Sequence, residues 1–199
     1  MSAQATTMSP IVRGLDPRAE ALRILSWWTE HAIDPRGGFY GEVDVQGLPV
    51  PEADKGVVLN ARLLWFFSAC GRRFQRRDAL DLARRAFDYL TAHFVDPIHG
   101  GVYWTVDCRG EMRNSRKQAY AQAFALYGLT EFYAATGDAA ALDLARALLA
   151  RIEAAYWDAG AGGYVEARSR DWGNLADQRL SERDLDCPKT MNKIGRAHV

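Results

Sequence analysis

An all-α fold made of repeated α/α hairpins is what this sequence predicts, and three observations predict it. A short phrase recurs: Asp34-Pro35-Arg36-Gly37-Gly38-Phe39-Tyr40, then Asp96-Pro97-Ile98-His99-Gly100-Gly101-Val102-Tyr103, then Asp158-Ala159-Gly160-Ala161-Gly162-Gly163-Tyr164, with 62 residues from Asp to Asp both times. A fixed period of this size means that one structural unit is copied along the chain, about three times over its 199 residues. Apolar residues between the phrases recur at helical spacing. The connections between these helical stretches alternate between short and long, so successive helices pair as antiparallel hairpins.

The elements follow in order. Asp16-Pro17 reads as an N-cap with proline at the first helical position, followed by Ala21, Leu22, Ile24, Leu25 and Trp28. A second helix starts near Asp54 and carries Val57, Val58, Ala61, Leu64, Trp65 and Phe67; a third starts near Asp78 with Leu80, Leu82, Ala83, Phe87 and Leu90. A fourth runs from about Arg116 to Ala135, a fifth is opened by Asp138 and continues to about Tyr156, and a sixth begins near Pro188. The long connections hold the Gly-Gly phrases. Alternation in Phe39–Asp44 and Val102–Asp107 predicts short strands or extended loops there. All long loops therefore gather at one end of the array, the usual place for function on a rigid scaffold. The repeat alone leaves an open solenoid and a closed toroid both open.

Composition narrows the classes. Net charge is zero, which gives no reason for nucleic acid or an anionic membrane as partner. No apolar run resembles a signal peptide or is long enough to span a bilayer. Cys70, Cys108 and Cys187 are few and far apart, and read as reduced thiols of a cytoplasmic protein. His31, His93, His99 and His198 have no ligand spacing, so no metal is expected. The arginines at 72, 73, 76 and 77 read as a solvated turn.

Candidate residues come from the repeat. Lys55, Lys117 and Lys189 open the even-numbered helices, accompanied by Asn60, Gln118, Tyr120, Gln122 and Asn192; repeat symmetry with ordinary surface positions is the plain explanation. Arg62 stands out inside Val57–Trp65, where a buried guanidinium needs a partner or a polar cavity. Tyr40, Tyr103, Trp104 and Tyr164 follow the Gly-Gly turns and either pack the loops or stack on sugar rings. Glu42, Asp44, Asp107 and Glu166 offer an acid/base pair for glycoside hydrolysis, although their recurrence argues for binding backbone N–H groups in each repeat. A partner-binding solenoid without catalysis is a further alternative.

Lys55–Ser68, Gly100–Trp104, Lys117–Leu129, Arg170-Asp171-Trp172 and Pro188–Asn192 together resemble the cellobiose 2-epimerases, within the N-acylglucosamine 2-epimerase family; the resemblance runs from about Ala19 to Asn192. It implies an (α/α)6 barrel, of which residues 16–192 form the N-terminal half, preceded by a flexible segment over 1–15. It implies inversion at C2 of a reducing-end aldose through a cis-enediol, without metal or nicotinamide. Arg62 would hold oxygens near C1 and C2, Tyr120 and Asn192 would complete that polar ring, and Tyr103 and Trp104 would serve the pocket wall. The family's pocket histidine falls at position 196, which is arginine here; His198 is two places out of register. Members are roughly twice as long, so neither acid/base histidine is expected in this chain and the isolated chain is expected to be inactive. With half a toroid's inner faces left wet, it is also expected to self-associate. Residues 193–199 are expected to be non-native, since Ile194–Val199 is what a common sequencing adapter yields in one frame.

Overall fold

Residues 16–180, 182 and 187–189 are described by a computed structural model of the chain. Its helices are α1 (Pro17–His31), α2 (Val57–Phe74), α3 (Arg77–Tyr89), α4 (Ala119–Thr136) and α5 (Ala139–Tyr156). α1 begins on the predicted cap: the Asp16 carboxylate accepts the Arg18 N–H at 2.9 Å and Pro17 fills the first helical position. α5 begins the same way, with Asp138 accepting the Ala141 N–H at 3.1 Å. α2 and α4 start a few residues later than their apolar patterns suggest, because two-residue strands precede them: β1 (Lys55–Gly56) and β4 (Lys117–Gln118). The sixth helix, predicted from near Pro188, has not begun by Lys189, since residues 187–189 are not helical; the rest of it lies outside the described residues, as do segments 1–15 and 193–199.

Short reversals make the hairpins. Gln75, in the left-handed region at φ 55°, ends α2 and the chain re-enters helix at Arg77; Gly137, at φ 72°, ends α4 before Asp138 caps α5. α3 runs on through a π-helical turn, Leu90–Phe94. α2 packs along α4, with α3 and α1 against α2 and α5 against α4. The two central helices meet closely at Gly128, where a Cβ would come within 2.6 Å of the Ala61 carbonyl. Leu64, Phe67, Leu90, Phe94, Leu129, Phe132 and Leu148 fill the core, with Phe87 stacked on Phe132 at 4.8 Å.

The long loops are stitched to one another in sequence. β1 pairs antiparallel with β2 (Thr105–Val106), which pairs with β3 (Met112–Asn114); β4 pairs with β5 (Ala167–Arg168). Lys55 lies opposite Val106 and Lys117 opposite Arg168, so both partners advance by the same 62 residues. Each Gly-Gly turn is closed by a single bridge: Ile33 with Phe39, Val95 with Val102, Trp157 with Tyr164. Of the two stretches predicted as strands or extended loops, only Thr105–Val106 pairs as a strand, while Phe39 and Val43 make single bridges in extended loop.

Candidate functional site

The chain has four lysines, at 55, 117, 189 and 193, among 25 basic residues. Three of them find the opening aspartates of the Gly-Gly phrases. Lys55 Nζ lies 2.7 Å from Asp34 Oδ2, Lys117 Nζ 3.0 Å from Asp96 Oδ2, and Lys189 Nζ 2.7 Å from Asp158 Oδ2. Each ammonium also donates to a carbonyl of its glycine turn: Gly37 at 2.9 Å, Gly100 at 2.9 Å and Gly162 at 2.6 Å. The expectation of ordinary surface positions is corrected for Lys55 and Lys117, which are 4% and 0% exposed. An ammonium suits this place because it is a compact charge with three donors that reach three directions.

The first two clamps are closed by residues that lie further along the chain, the first by α3 and the second by the loop that follows Asp158. Around the first, the Tyr89 ring lies under Lys55 Nζ at 4.7 Å, and Arg85 from α3 donates to the Gly38 carbonyl at 2.8 Å. Burial first, then the charges of Asp34 and Asp107, push the Tyr89 hydroxyl up to about 12. Around the second, Arg170 Nε reaches Asp96 Oδ2 at 3.0 Å, its Nη2 meets the Tyr103 hydroxyl at 3.1 Å, and Trp172 Nε1 donates to the His99 carbonyl at 2.8 Å. Burial pushes the Asp96 carboxyl up, but Arg170, the Ile98 N–H, Lys117 and the His99 N–H outweigh it and hold it well below the usual carboxylate range. Burial draws the Lys117 ammonium down, and Asp96 offsets only part of that.

A second arrangement lies on the helices. Val58, Arg62, Trp65, Ala69 and Arg72 step along α2 at helical spacing, none of them buried. Adding the repeat period gives Tyr120, Phe124, Tyr127 and Glu131 of α4, again none buried. Trp65 stacks on Tyr127 at 5.1 Å and Arg72 pairs with Glu131 at 2.7 Å, so the two stripes lie side by side as one open face. Arg62 lies about one turn before Trp65, and Tyr120 about one turn before Phe124, whose ring it meets at 4.8 Å. Both therefore belong to the loop end of this face. Trp104 reaches the same end from the loop: its carbonyl accepts the Val57 N–H that starts α2, at 3.2 Å.

Placement differs from expectation for Arg62 and Tyr103 and agrees with it for Asp44 and Asp107. Arg62 is exposed rather than buried, because it lies on the stripe turned away from α3 and the core, and makes no ion pair with a described residue. Tyr103 is 6% exposed and belongs to the second clamp, its ring 4.7 Å from Lys117 Nζ, rather than to the open face. Asp44 and Asp107 serve the turns, accepting the N–H groups of Gln46 and Leu48 and of Arg109 and Glu111 at 2.8–2.9 Å, which is the backbone role their recurrence suggested. Asn192 lies outside the described residues. Asn60, grouped with Arg62 by sequence, is buried and donates to the Ala86 carbonyl at 3.0 Å. Arg170 and Trp172, whose contacts sequence reasoning missed, lie more than 70 residues from the loop they cover.

An array of α/α hairpins whose loops share one end, with an open inner face carrying arginine, tyrosine and tryptophan, defines a partial α/α toroid. The chain belongs to the N-acylglucosamine 2-epimerase family, whose sequence profile matches residues 38–182. It is 48% identical over 171 residues to the cellobiose 2-epimerase of Bacteroides fragilis, covering 85% of this chain and 44% of that protein. It is 39% identical to a Ruminococcus albus cellobiose 2-epimerase, over 86% of this chain and 43% of that one. The solved cellobiose 2-epimerase of Bacillus thermoamylovorans superposes with a TM-score of 0.85 at 33% identity, over 96% of this chain and 49% of that chain. The chain thus spans about half the length of the relatives it matches. A glycoside hydrolase family 76 α-mannanase from Bacteroides thetaiotaomicron, at 23% identity and a TM-score of 0.60, shares the fold.

Proposed function

We propose that this chain is the N-terminal half of a sugar 2-epimerase that interconverts C2 epimers of a reducing-end aldose such as cellobiose. One observation carries the reading: Arg62 and Tyr120 lie at the loop end of one open face, on neighbouring helices, in a chain with 48% identity to a cellobiose 2-epimerase. In the proposed reaction the sugar ring opens, a base removes the C2 proton, and a cis-enediolate forms and is reprotonated on its other face. Charge develops on the oxygens at C1 and C2. A guanidinium such as that of Arg62, with its fork of N–H donors, is suited to stabilise it, with the Tyr120 hydroxyl and Asn192 amide completing the donor set. Trp104 lies at the same end and is assigned to the wall. The acid and base belong to the other half, where the family keeps its histidines, since position 196 is arginine in this chain. The chain alone is therefore read as inactive. Three free cysteines, two of them buried, support a cytoplasmic setting for the protein; no helix among the described residues is long and apolar enough to cross a membrane.

The test is incubation of the product of a complete reading frame with cellobiose in D2O. Deuterium at C2 together with a mannose-type reducing end is expected. Absence of both with cellobiose, mannose and N-acetylmannosamine overturns the assignment.

A further inference from the structure

The third clamp is unlike the other two. Asp158 and Lys189 keep the ion pair and the glycine carbonyl, yet their side chains are 35% and 25% exposed, against 0% for both Asp96 and Lys117. The difference is what lies on top. A Cβ at Gly38 would strike the Tyr89 ring at 2.6 Å, and one at Gly101 would strike the Trp172 ring at 2.6 Å. At Gly163, which occupies the same place in the third phrase, the nearest described atom is Lys189 Cδ at 3.9 Å. No ring among the described residues lies over Lys189, and no guanidinium among them reaches Asp158. The third phrase has Gly160 where the first has Arg36, so it carries no arginine of its own.

Both closed clamps receive their cover from residues further along the chain: Arg85 and Tyr89 of α3, ahead of the next phrase, in one case, and Arg170 and Trp172 of the loop after the next phrase in the other. We infer that the Asp158–Lys189–Gly163 surface is a seat for an Arg-x-Trp loop presented by a further hairpin outside this 199-residue sequence. In the second clamp the guanidinium bonds Asp96, the indole covers Gly101 with Lys117 Nζ 5.5 Å from its ring, and the indole N–H reaches the His99 carbonyl. The matching groups of the third clamp are Asp158, Gly163, Lys189 and the Ala161 carbonyl. Val165 stands where the second clamp has Tyr103, so an incoming guanidinium would bond Asp158 without a phenol beside it. A second copy of this chain is a poor occupant, because Arg170-Asp171-Trp172 is its one Arg-x-Trp segment and already covers the second clamp. The relatives' extra length is where such a hairpin would lie. This inference does not depend on the reaction proposed above.

The test uses amine acylation of the 199-residue chain followed by mass spectrometry, which reads each lysine separately. Lys189 is expected to react at least tenfold faster than Lys55 and Lys117. A blocked Ser-Arg-Asp-Trp-Gly pentapeptide at about 10 mM is expected to slow Lys189 at least threefold and to leave Lys55 and Lys117 unchanged. Peptides with alanine in place of arginine or tryptophan should lose most of this protection, as should Asp158→Asn. Lys189 as slow as Lys117 without peptide would show that the chain fills its own seat, and would overturn the inference. So would absence of protection, or equal protection by the alanine peptides.

Discussion

The second and third Gly-Gly loops begin with the same aspartate, pair it with the same lysine and use the same left-handed glycines, yet one is sealed and the other half open. The difference teaches that the clamp is not a property of its own loop. The local sequence makes the turn and supplies the ion pair; whether that pair is buried depends on residues from a later unit. A buried pair costs solvation of both charges and is held only where further donors satisfy them. Asp96 has those donors in Arg170 and two backbone N–H groups, and Asp158 has its lysine and two N–H groups but no second cation among the described residues.

The comparison can be broken most directly by deletion. Asp96→Ala leaves Lys117 buried without its counter-charge and is expected to cost about 3–5 kcal/mol in urea unfolding. Asp158→Ala is expected to move the midpoint far less, and equal shifts would show that burial of the pair is not what distinguishes the loops. Glycine replacement sharpens the same contrast. Gly101→Ala combines left-handed strain with collision against the Trp172 ring, for about 2–5 kcal/mol together, whereas Gly163→Ala carries only the strain, about 1–2 kcal/mol.

Acid unfolding gives a third measure. The Asp96 carboxyl titrates below its ordinary value near 3.9, so its contribution is fully present above that pH and is lost as pH falls below it toward the folded value. Asp96→Asn should therefore flatten the stability profile below about pH 4 relative to the parent chain. A smaller effect is expected behind the second clamp, where the buried Tyr156 hydroxyl donates to the Lys117 carbonyl at 2.9 Å: Tyr156→Phe should cost about 1 kcal/mol. Smallest in stability is Arg62→Ala, within about 0.5 kcal/mol because the side chain is exposed. In the product of a complete reading frame, the same change is expected to lower the kcat/KM of the proposed epimerisation by about a hundredfold or more. A large loss of stability from Arg62→Ala would move that residue from the site to the scaffold.

The helices were legible because their signals are local. Asp16-Pro17 and Asp138 cap as written, and the 62-residue period announced the copied unit. The clamps were harder to read, since a lysine near a helix start is ordinarily wet. A usable signal was present: lysine is rare in this chain, and Lys55 and Lys117 each stand 21 residues after a phrase-opening aspartate. Arg62 was misread in the other direction. Its apolar neighbours suggested burial, but on an inner helix the open stripe is itself aromatic, so local hydrophobicity does not report depth there. The roles of Arg170 and Trp172 depend on contacts 74 and 73 residues away, which no local pattern encodes.

The antiparallel register that joins each long loop to its successor sets an order in time as well as in space. A ribosome adds about 5–20 residues per second, so the 74 residues between Asp96 and Arg170 take about 4–15 s to appear. During that interval the Asp96 turn waits with its aspartate uncovered, whereas Arg85 and Tyr89, which cover the Asp34 turn, have already been made. For the last 12 of those residues the Asp158 turn has emerged as well, so two seams stand open together, and a pause in translation there would prolong the exposure of both.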